Sequence, residues 1–442
     1  MNWPQKRIGD YLTESTIEAP APSAERRIRV RLNAEGIEKR PLMVETEGAT
    51  RYFQRKTGQF IYGKQNLHKG AFGVIPRELN GFESSSDLPA FDVADGLRPE
   101  WLAYFLKQGN FYKSLVAIAK GAATKRIQPE ALFAVELPVP IKEVQDEIIK
   151  RMDRCVLEHS RMEHEIAHQQ SLLAKLKQAI LQEAIQGKLT ADWRAAHPEV
   201  KSASKLLLRI QAEKARLIAD KKLRPEKSLP KITPAEIPFE IPKDWEWCRY
   251  GNLCEYVTSG SRGWQQYYAD RGALFVRAQN IKTDKLNLDD ETFVDLPDRA
   301  KVARAQIQHS DILITITGSN LAKTALIEDY LEEAFVSQHI ALTRLVDTRL
   351  AKWLHQTFVT EAGPRGQLLG FSRGDKPGIN LPQVRNVLIP LPPLAEQVAI
   401  VERVEALMTT ARALEAEIEQ ARTYAADLLQ AVLKEAFAPA SS

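Results

Sequence analysis

Two stretches of this 442-residue chain place residue types at spacings that suit catalysis. His164-Glu165-Ile166-Ala167-His168 matches HExxH, in which two imidazoles one helical turn apart hold Zn²⁺ and the glutamate activates a water. Gly58 to Gln65, GQFIYGKQ, comes within one residue of the phosphate-binding pattern GxxxxGK[ST]. Neither context suits the chemistry. Ile166 falls on an apolar helical stripe. The same register later in the chain reads Ala416-Glu417-Ile418-Glu419-Gln420, where the stripe persists and both histidines are gone. Gln65 stands where a hydroxyl should meet Mg²⁺, and Gln59-Phe60-Ile61-Tyr62 is bulky and strand-like where backbone N–H groups should turn inward. With no GxSxG, no GxGxxG and no [DNS]PP[FYW] tetrapeptide, no catalytic residue and no metal ligand is assigned.

Other residues suit recognition of nucleic acid. Arg262, Trp264, Gln265, Gln266 and Tyr267 crowd one loop, and Arg277, Gln279, Asn280 and Lys282 follow an expected strand at Leu274–Val276. Arginine matches the O6/N7 edge of guanine, and glutamine or asparagine the N6/N7 edge of adenine. Ser319, Asn320 and Lys323 follow a second expected strand, Asp311–Thr317, and Arg373 and Lys376 lie in a third loop. In the first part of the chain Arg55, Lys56, Lys64, Asn66 and Lys69 cluster, and Lys120, Lys125 and Arg126 come shortly before a helix. Cationic side chains of this kind hold phosphates and set register. Taken singly, each is equally at home on a solvated loop.

The elements that must position these residues are built twice. Leu137–Gln186 repeats as Ile389–Ala438 at a constant offset of 252, and Arg7-Ile8-Gly9-Asp10 is echoed by Arg249-Tyr250-Gly251-Asn252 at 242. Each long repeat enters through prolines and then lacks Pro and Gly until Gly187 or Pro439, as a long helix requires. The first stripe includes Ile149, Met152, Val156, Met162, Ile166, Leu173, Leu176 and Ile180. The second includes Val401, Val404, Met408, Leu414, Ile418, Leu428 and Val432. Steps alternate three and four, with one extra three at the same place in both, so the two helices are expected to pack on each other as a coiled coil. Gln59–Tyr62 reads as a further strand, and Pro99–Gly109 and Leu350–Thr360 as corresponding helices. Between the first long helix and the second globular unit come a basic helix, Ser202–Lys222, and a proline string, Pro225 to Pro242, expected as a stiff extended linker.

Composition sets the outer bounds. Three cysteines exclude a disulfide scaffold and point to reduced thiols in the cytoplasm. No apolar run approaches a membrane span, and the first residues lack a secretory h-region. A net charge of +4 is compatible with nucleic acid without requiring it.

In its order of parts the chain resembles the specificity subunit of type I restriction–modification systems. The resemblance rests on Ile389-Pro390-Leu391-Pro392-Pro393-Leu394-Ala395-Glu396-Gln397, on the degenerate copy Leu137–Gln145, on Leu181–Leu189 (LQEAIQGKL) and on Pro242–Trp247 (PKDWEW). Gly70-Ala71-Phe72-Gly73 and Gly318-Ser319-Asn320 add to it. It implies an α+β chain with a pseudo-twofold repeat. Target-recognition domains would occupy 1–140 and 241–392, long spacer helices 141–187 and 393–438, packed as an antiparallel coiled coil, a basic and proline-rich connector 188–240, and a tail 439–442. It implies a non-enzymatic subunit that binds double-stranded DNA at an asymmetric bipartite target. Two methyltransferase subunits would bring SAM and N6-adenine methylation. Restriction subunits, whose presence the sequence leaves open, would bring Mg and ATP, so no cofactor is expected in this chain. Two other classes compete: a zinc hydrolase on His164, Glu165 and His168, which stoichiometric zinc would reveal, and a coiled-coil protein adaptor, which sequence-selective DNA binding would exclude.

Overall fold

The echo of Arg7–Asp10 in Arg249–Asn252 marks one local event that occurs twice. Strand Gln5–Arg7 pairs antiparallel with Glu136–Pro138, and strand Glu246–Arg249 with Leu388–Leu391. The registers correspond: Gln5 faces Pro138, and Trp247 faces Pro390. Each strand then tightens into a single 3-10 turn, Ile8–Asp10 or Tyr250–Asn252. The glycine in that turn has no room for a side chain. A Cβ on Gly9 would come within 2.7 Å of the Phe133 Cβ, and one on Gly251 within 3.1 Å of the Arg385 Cβ, at equivalent places. The computed structural model describes residues 3–42, 50–121, 124–296, 303–372 and 378–437. Its two compact units are 1–169 with 417–442, and 170–416.

Beyond the turn each unit lays down a four-stranded antiparallel sheet. In the first the order is Leu12–Glu14, Ala90–Val93, Phe60–Tyr62, Phe72–Val74. In the second it is Cys254–Ser259, Ile340–Leu345, Ile312–Thr315, Thr324–Leu326. Phe60 faces Phe91 and Val74, and Ile312 faces Thr343 and Leu326, each partner displaced by 252. The central strands are unbroken apolar runs because both faces are covered, and Phe60 to Tyr62 and Ile312 to Ile314 are fully buried. The offset changes from 242 to 252 between the first and second strands of the sheet, and there the units differ. The second adds a sheet of Tyr268–Ala269, Phe293–Val294, Ala273–Val276 and Ala334–Val336, whereas the first has two separate strand pairs.

Helices Pro99–Lys107 and Ala351–Val359 also correspond at 252, closing the sheet in each unit. Both carry a buried tryptophan, Trp101 or Trp353, and each meets a second tryptophan edge-on: Trp3 at 6.4 Å and Trp245 at 5.6 Å. The long helices span Lys142–Ile185 and Leu394–Ala436. In the first unit Ile148 and Met152 share a core with Leu429, Leu433 and Phe437, and Arg151 pairs with Glu435 at 3.0 Å. In the second unit Ile180 and Ile185 share a core with Val401 and Val404, and Lys177 pairs with Glu415 at 2.7 Å. Early residues of one helix meet late residues of the other, so the packing is antiparallel.

The expected stripe is buried at Met152, Ile166, Leu173, Ile180, Val401 and Val404 and half-buried at Ile149, Val156, Met162, Met408, Ile418 and Val432. Leu176, Leu414 and Leu428 depart from it, being 45 %, 40 % and 53 % exposed. A straight helix drifts against a heptad repeat, and towards the C-terminal ends the burial passes to Leu181, Ala184 and Ile185 and to Leu429, Leu433 and Ala436.

The connector holds a helix, Ala203–Ala219, with Leu206 and Ile210 in the second unit's core. The stretch after it, expected as a stiff extended linker, is fastened to the second unit by side-chain hydrogen bonds. The buried Arg249 donates to Pro230 O (3.0 Å), Lys231 O (3.3 Å) and Glu236 (2.7 Å). The Thr233 N–H, Arg249 and the Thr233 hydroxyl all donate to Glu236 and draw its pKa down to about 2. Among the described residues no helix is long and apolar enough to cross a membrane.

Candidate nucleic-acid interface

In the second unit four loops meet at one edge of the two sheets. Strand Cys254–Ser259 ends at Gly260, where a Cβ would lie 2.0 Å from the Val336 oxygen, so only glycine lets the strands approach. The Gly260 N–H donates to Ser337 O at 3.2 Å. The chain then forms a turn at Trp264–Tyr267. Trp264 is a buried anchor, with its ring 5.5 Å from Phe275 and 6.0 Å from Phe335. Its expected place among the contact residues is therefore corrected: the indole holds the turn while Arg262, Gln265 and Gln266 are exposed and Tyr267 half-buried.

Asn280 is corrected in the same way. It is buried, accepts from the Arg277 N–H (2.9 Å) and donates to Asn287 O (3.1 Å) and Asp290 O (3.0 Å), closing its loop from within. Asp290 Oδ2 takes Arg277 Nη2 at 2.9 Å and Gln279 Nε2 at 2.8 Å, which sets those two side chains next to each other. Ser319 is exposed and Lys323 half-buried, while Asn320 donates to Ala278 O at 3.2 Å and ties its loop to that of Arg277. Lys282 is exposed on the neighbouring hairpin. Arg373 and Lys376 lie outside the described residues. Gln338 and His339, missed in the sequence, complete the edge: the His339 ring lies 2.5 Å from Thr317 Oγ1 and 2.9 Å from Gln338 Nε2. The loops of Trp264, Arg277 and Gln338 line a cavity of about 180 Å³.

In the first unit the equivalent edge is cationic. Lys64, Asn66 and Lys69 stand on the loop after strand Phe60–Tyr62, and the Lys64 backbone bonds Asp87 O (2.9 Å) and the Ile127 N–H (2.8 Å). Lys120 and Arg126 exchange backbone hydrogen bonds of 2.9 and 2.8 Å, and Arg126 lies 3.6 Å from Asp87. Lys69 and Lys125 both act on His68, whose pKa lies below the ordinary value through burial first and then repulsion by these two lysines. Arg55 does not belong to this edge. It is 1 % exposed and donates to Ser84 Oγ (2.7 Å), Ser15 O (2.7 Å) and Leu88 O (3.3 Å), and its burial lowers its pKa to about 10. Lys56 is exposed but precedes the strand that Lys64 follows, at its opposite end.

The two catalytic look-alikes dissolve on inspection. His164, Glu165 and His168 are exposed on the central helix, Glu165 accepts from Gln169 at 3.1 Å, and no cluster of three His, Cys, Asp or Glu forms among the described residues. Phe60–Tyr62 is a buried central strand, which cannot wrap a phosphate.

A family model described as type I restriction modification DNA specificity domain matches residues 242–421, from Pro242 through the second unit and into the distal helix. That part of the chain is similar to the family. The chain is 26 % identical over 404 residues to the type I restriction enzyme EcoAI specificity subunit of Escherichia coli, covering 80 % of this chain and 66 % of the relative. The EcoEI subunit of Escherichia coli is 26 % identical over 262 residues, covering 56 % and 42 %. The chain thus spans less than two thirds of the length of either relative. A chain from a solved type I R-M system, in work on complex assembly and conformational transition, superposes with a TM-score of 0.62 at 17 % identity, covering 99 % and 97 %. The HsdS subunit from Thermoanaerobacter tengcongensis gives 0.52 at 16 %, covering 99 % and 96 %. These two share the fold.

Proposed function

We propose that this chain is the non-catalytic specificity subunit of a type I restriction–modification complex and reads an asymmetric bipartite DNA target. The observation that carries the reading is one sheet-and-helix frame laid down twice in matching register, with different side chains at the equivalent loop edge. Domains 1–140 and 241–392 each read one half-site. Helices 141–187 and 393–438 set the unread spacer between them. Two methyltransferase subunits supply SAM-dependent N6-adenine methylation, restriction subunits bring Mg and ATP, and the complex works in the cytoplasm. A zinc hydrolase and a protein adaptor have no support in the exposed histidines or in the family match.

The test is genome-wide N6-methyladenine mapping with the gene present and deleted. Loss of one asymmetric two-part motif on deletion is expected. An unchanged methylome, with the partner methyltransferase expressed, overturns the reading.

A further inference from the structure

The cavity in the second unit differs from the rest of the recognition surface in its chemistry. It is lined by Gln265, Gln279, Gln338, His339 and Arg277, with Tyr268 on one side, and no lysine takes part. The cation it does hold is engaged, since Arg277 pairs with Asp290. Phosphate oxygens only accept hydrogen bonds. Carboxamides and an imidazole both donate and accept, which is what the mixed edges of bases present in the major groove. Tyr268, 46 % exposed, offers an apolar wall of the kind that meets a base face or a thymine methyl.

The backbone that carries Gln338 and His339 is pinned on both sides. They occupy the short crossing from strand Ala334–Val336 of one sheet to strand Ile340–Leu345 of the other. Ser337 just before them is buried. Its N–H donates to Val276 O (2.9 Å), and its carbonyl accepts from Gly260 (3.2 Å) and Ile340 (3.2 Å). Such fixation fits a reading group, whose discrimination depends on geometry held to a fraction of an ångström. At the equivalent crossing of the first unit stand Ser86 and Asp87, with Asp87 paired to Arg126. The backbone position is shared and the chemistry is not.

Building on the function proposed above, we infer that Gln338 and His339 are specificity-determining residues that read a base edge in the half-site of the second unit. Q338A and H339A should relax that half of the methylated motif at one or two adjacent positions, with discrimination falling roughly 5- to 150-fold. The other half and the spacer should stay unchanged. The measurement is the methylome of cells carrying each variant in the full complex, with the wild-type motif as reference. If deletion of the wild-type gene changes no methylation, the specificity-subunit reading falls. If the wild-type motif is present and both variants keep it intact, this inference falls.

A variant that silences methylation is settled by binding. The purified complex with Q338E, which keeps the side-chain size, is measured against duplexes that differ at single positions. A changed base preference confined to one half supports the assignment. Equal weakening across the panel marks a contact that carries no base information and overturns it.

Discussion

The two long helices begin in the same way and are secured by different means. Gln145 and Gln397 occupy equivalent positions, both buried, and each Nε2 donates to a proline carbonyl five residues earlier, Pro140 or Pro392, at 2.8 Å. Only Gln145 goes further, donating to Gly96 O (2.9 Å) and accepting from the Arg98 N–H (2.7 Å). In the second unit the position of Arg98 is taken by Leu350, whose N–H turns back to Asp347 O at 3.2 Å, and Gln397 Oε1 has no partner among the described residues. One residue earlier the contrast reverses. Val144 is half-buried among apolar side chains. Its counterpart Glu396 is 1 % exposed and takes Thr190 (2.8 Å), Arg194 (2.5 Å) and Trp245 Nε1 (2.8 Å). A repeated backbone therefore constrains where a helix must be fastened, and leaves open which side chain does it.

The largest effect should come from that carboxylate. E396A removes the shared acceptor of three donors, the buried Thr190 and Trp245 and the half-buried Arg194, and should destabilise the second unit by about 3–5 kcal/mol. V144A at the equivalent site should cost under about 1.5 kcal/mol. Hydrogen exchange read peptide by peptide separates the units, which a single melting curve does not. Equal losses at the two sites would dissolve the contrast. The glutamines sharpen it in the other direction: Q145A should cost about 2–4 kcal/mol, because three backbone groups on two segments lose a partner, and Q397A about 1 kcal/mol.

The recognition edges differ as much as the helix entries. Lys69, Lys120, Lys125 and Arg126 are exposed in the first unit, whereas the second presents Gln265, Gln266 and Gln279. Cations neutralise phosphates and release counterions, so K69A with K125A should lower the slope of log K against log salt by about two while leaving base preference intact. Q265A with Q266A should leave the slope within error and alter preference in one half-site. The reverse pattern would exchange the roles assigned to the two faces.

Much of the frame was legible because it depends on local rules. The prolines and the glycine-free runs gave both long helices to within a few residues. The apolar runs gave Phe60–Tyr62, Ala273–Val276 and Ile312–Thr315, and Pro99–Lys107 and Ala351–Val359 followed from their apolar spacing. The site was less legible. Arg55, Trp264 and Asn280 have the composition of contact residues and are structural, because burial is decided by strands far away in sequence. Gln338 and His339 have no motif, and only their place at the crossing between sheets singles them out. Glu396 belongs to the proline-rich motif that opens the distal helix, yet its donors lie 151 to 206 residues away. What fastens the connector was not legible, because a stiff proline-rich chain reads alike whether it is solvated or clamped by Arg249.

The smallest effect is the most direct probe of the cationic edge. His68 has a pKa below the ordinary 6.5, so its imidazole is neutral at pH 7. The sign follows: the unfolded chain takes up the proton first, so the stability this residue contributes is full above about pH 6.5 and is lost as pH falls below that value. Burial is the larger cause, and Lys69 and Lys125 the next. Phosphates seated against those lysines would offset their repulsion and raise the His68 pKa, so binding there would take up protons and strengthen as pH falls. A gain of at most a few-fold in affinity from pH 7 to 6 is expected, absent in H68N, with the imidazole resonance titrating at higher pH in the complex than in the free protein. If that resonance titrates at the same pH with and without DNA, the lysines of the first unit do not face the backbone, and the division between a phosphate-holding edge and a base-reading edge fails at its cationic end.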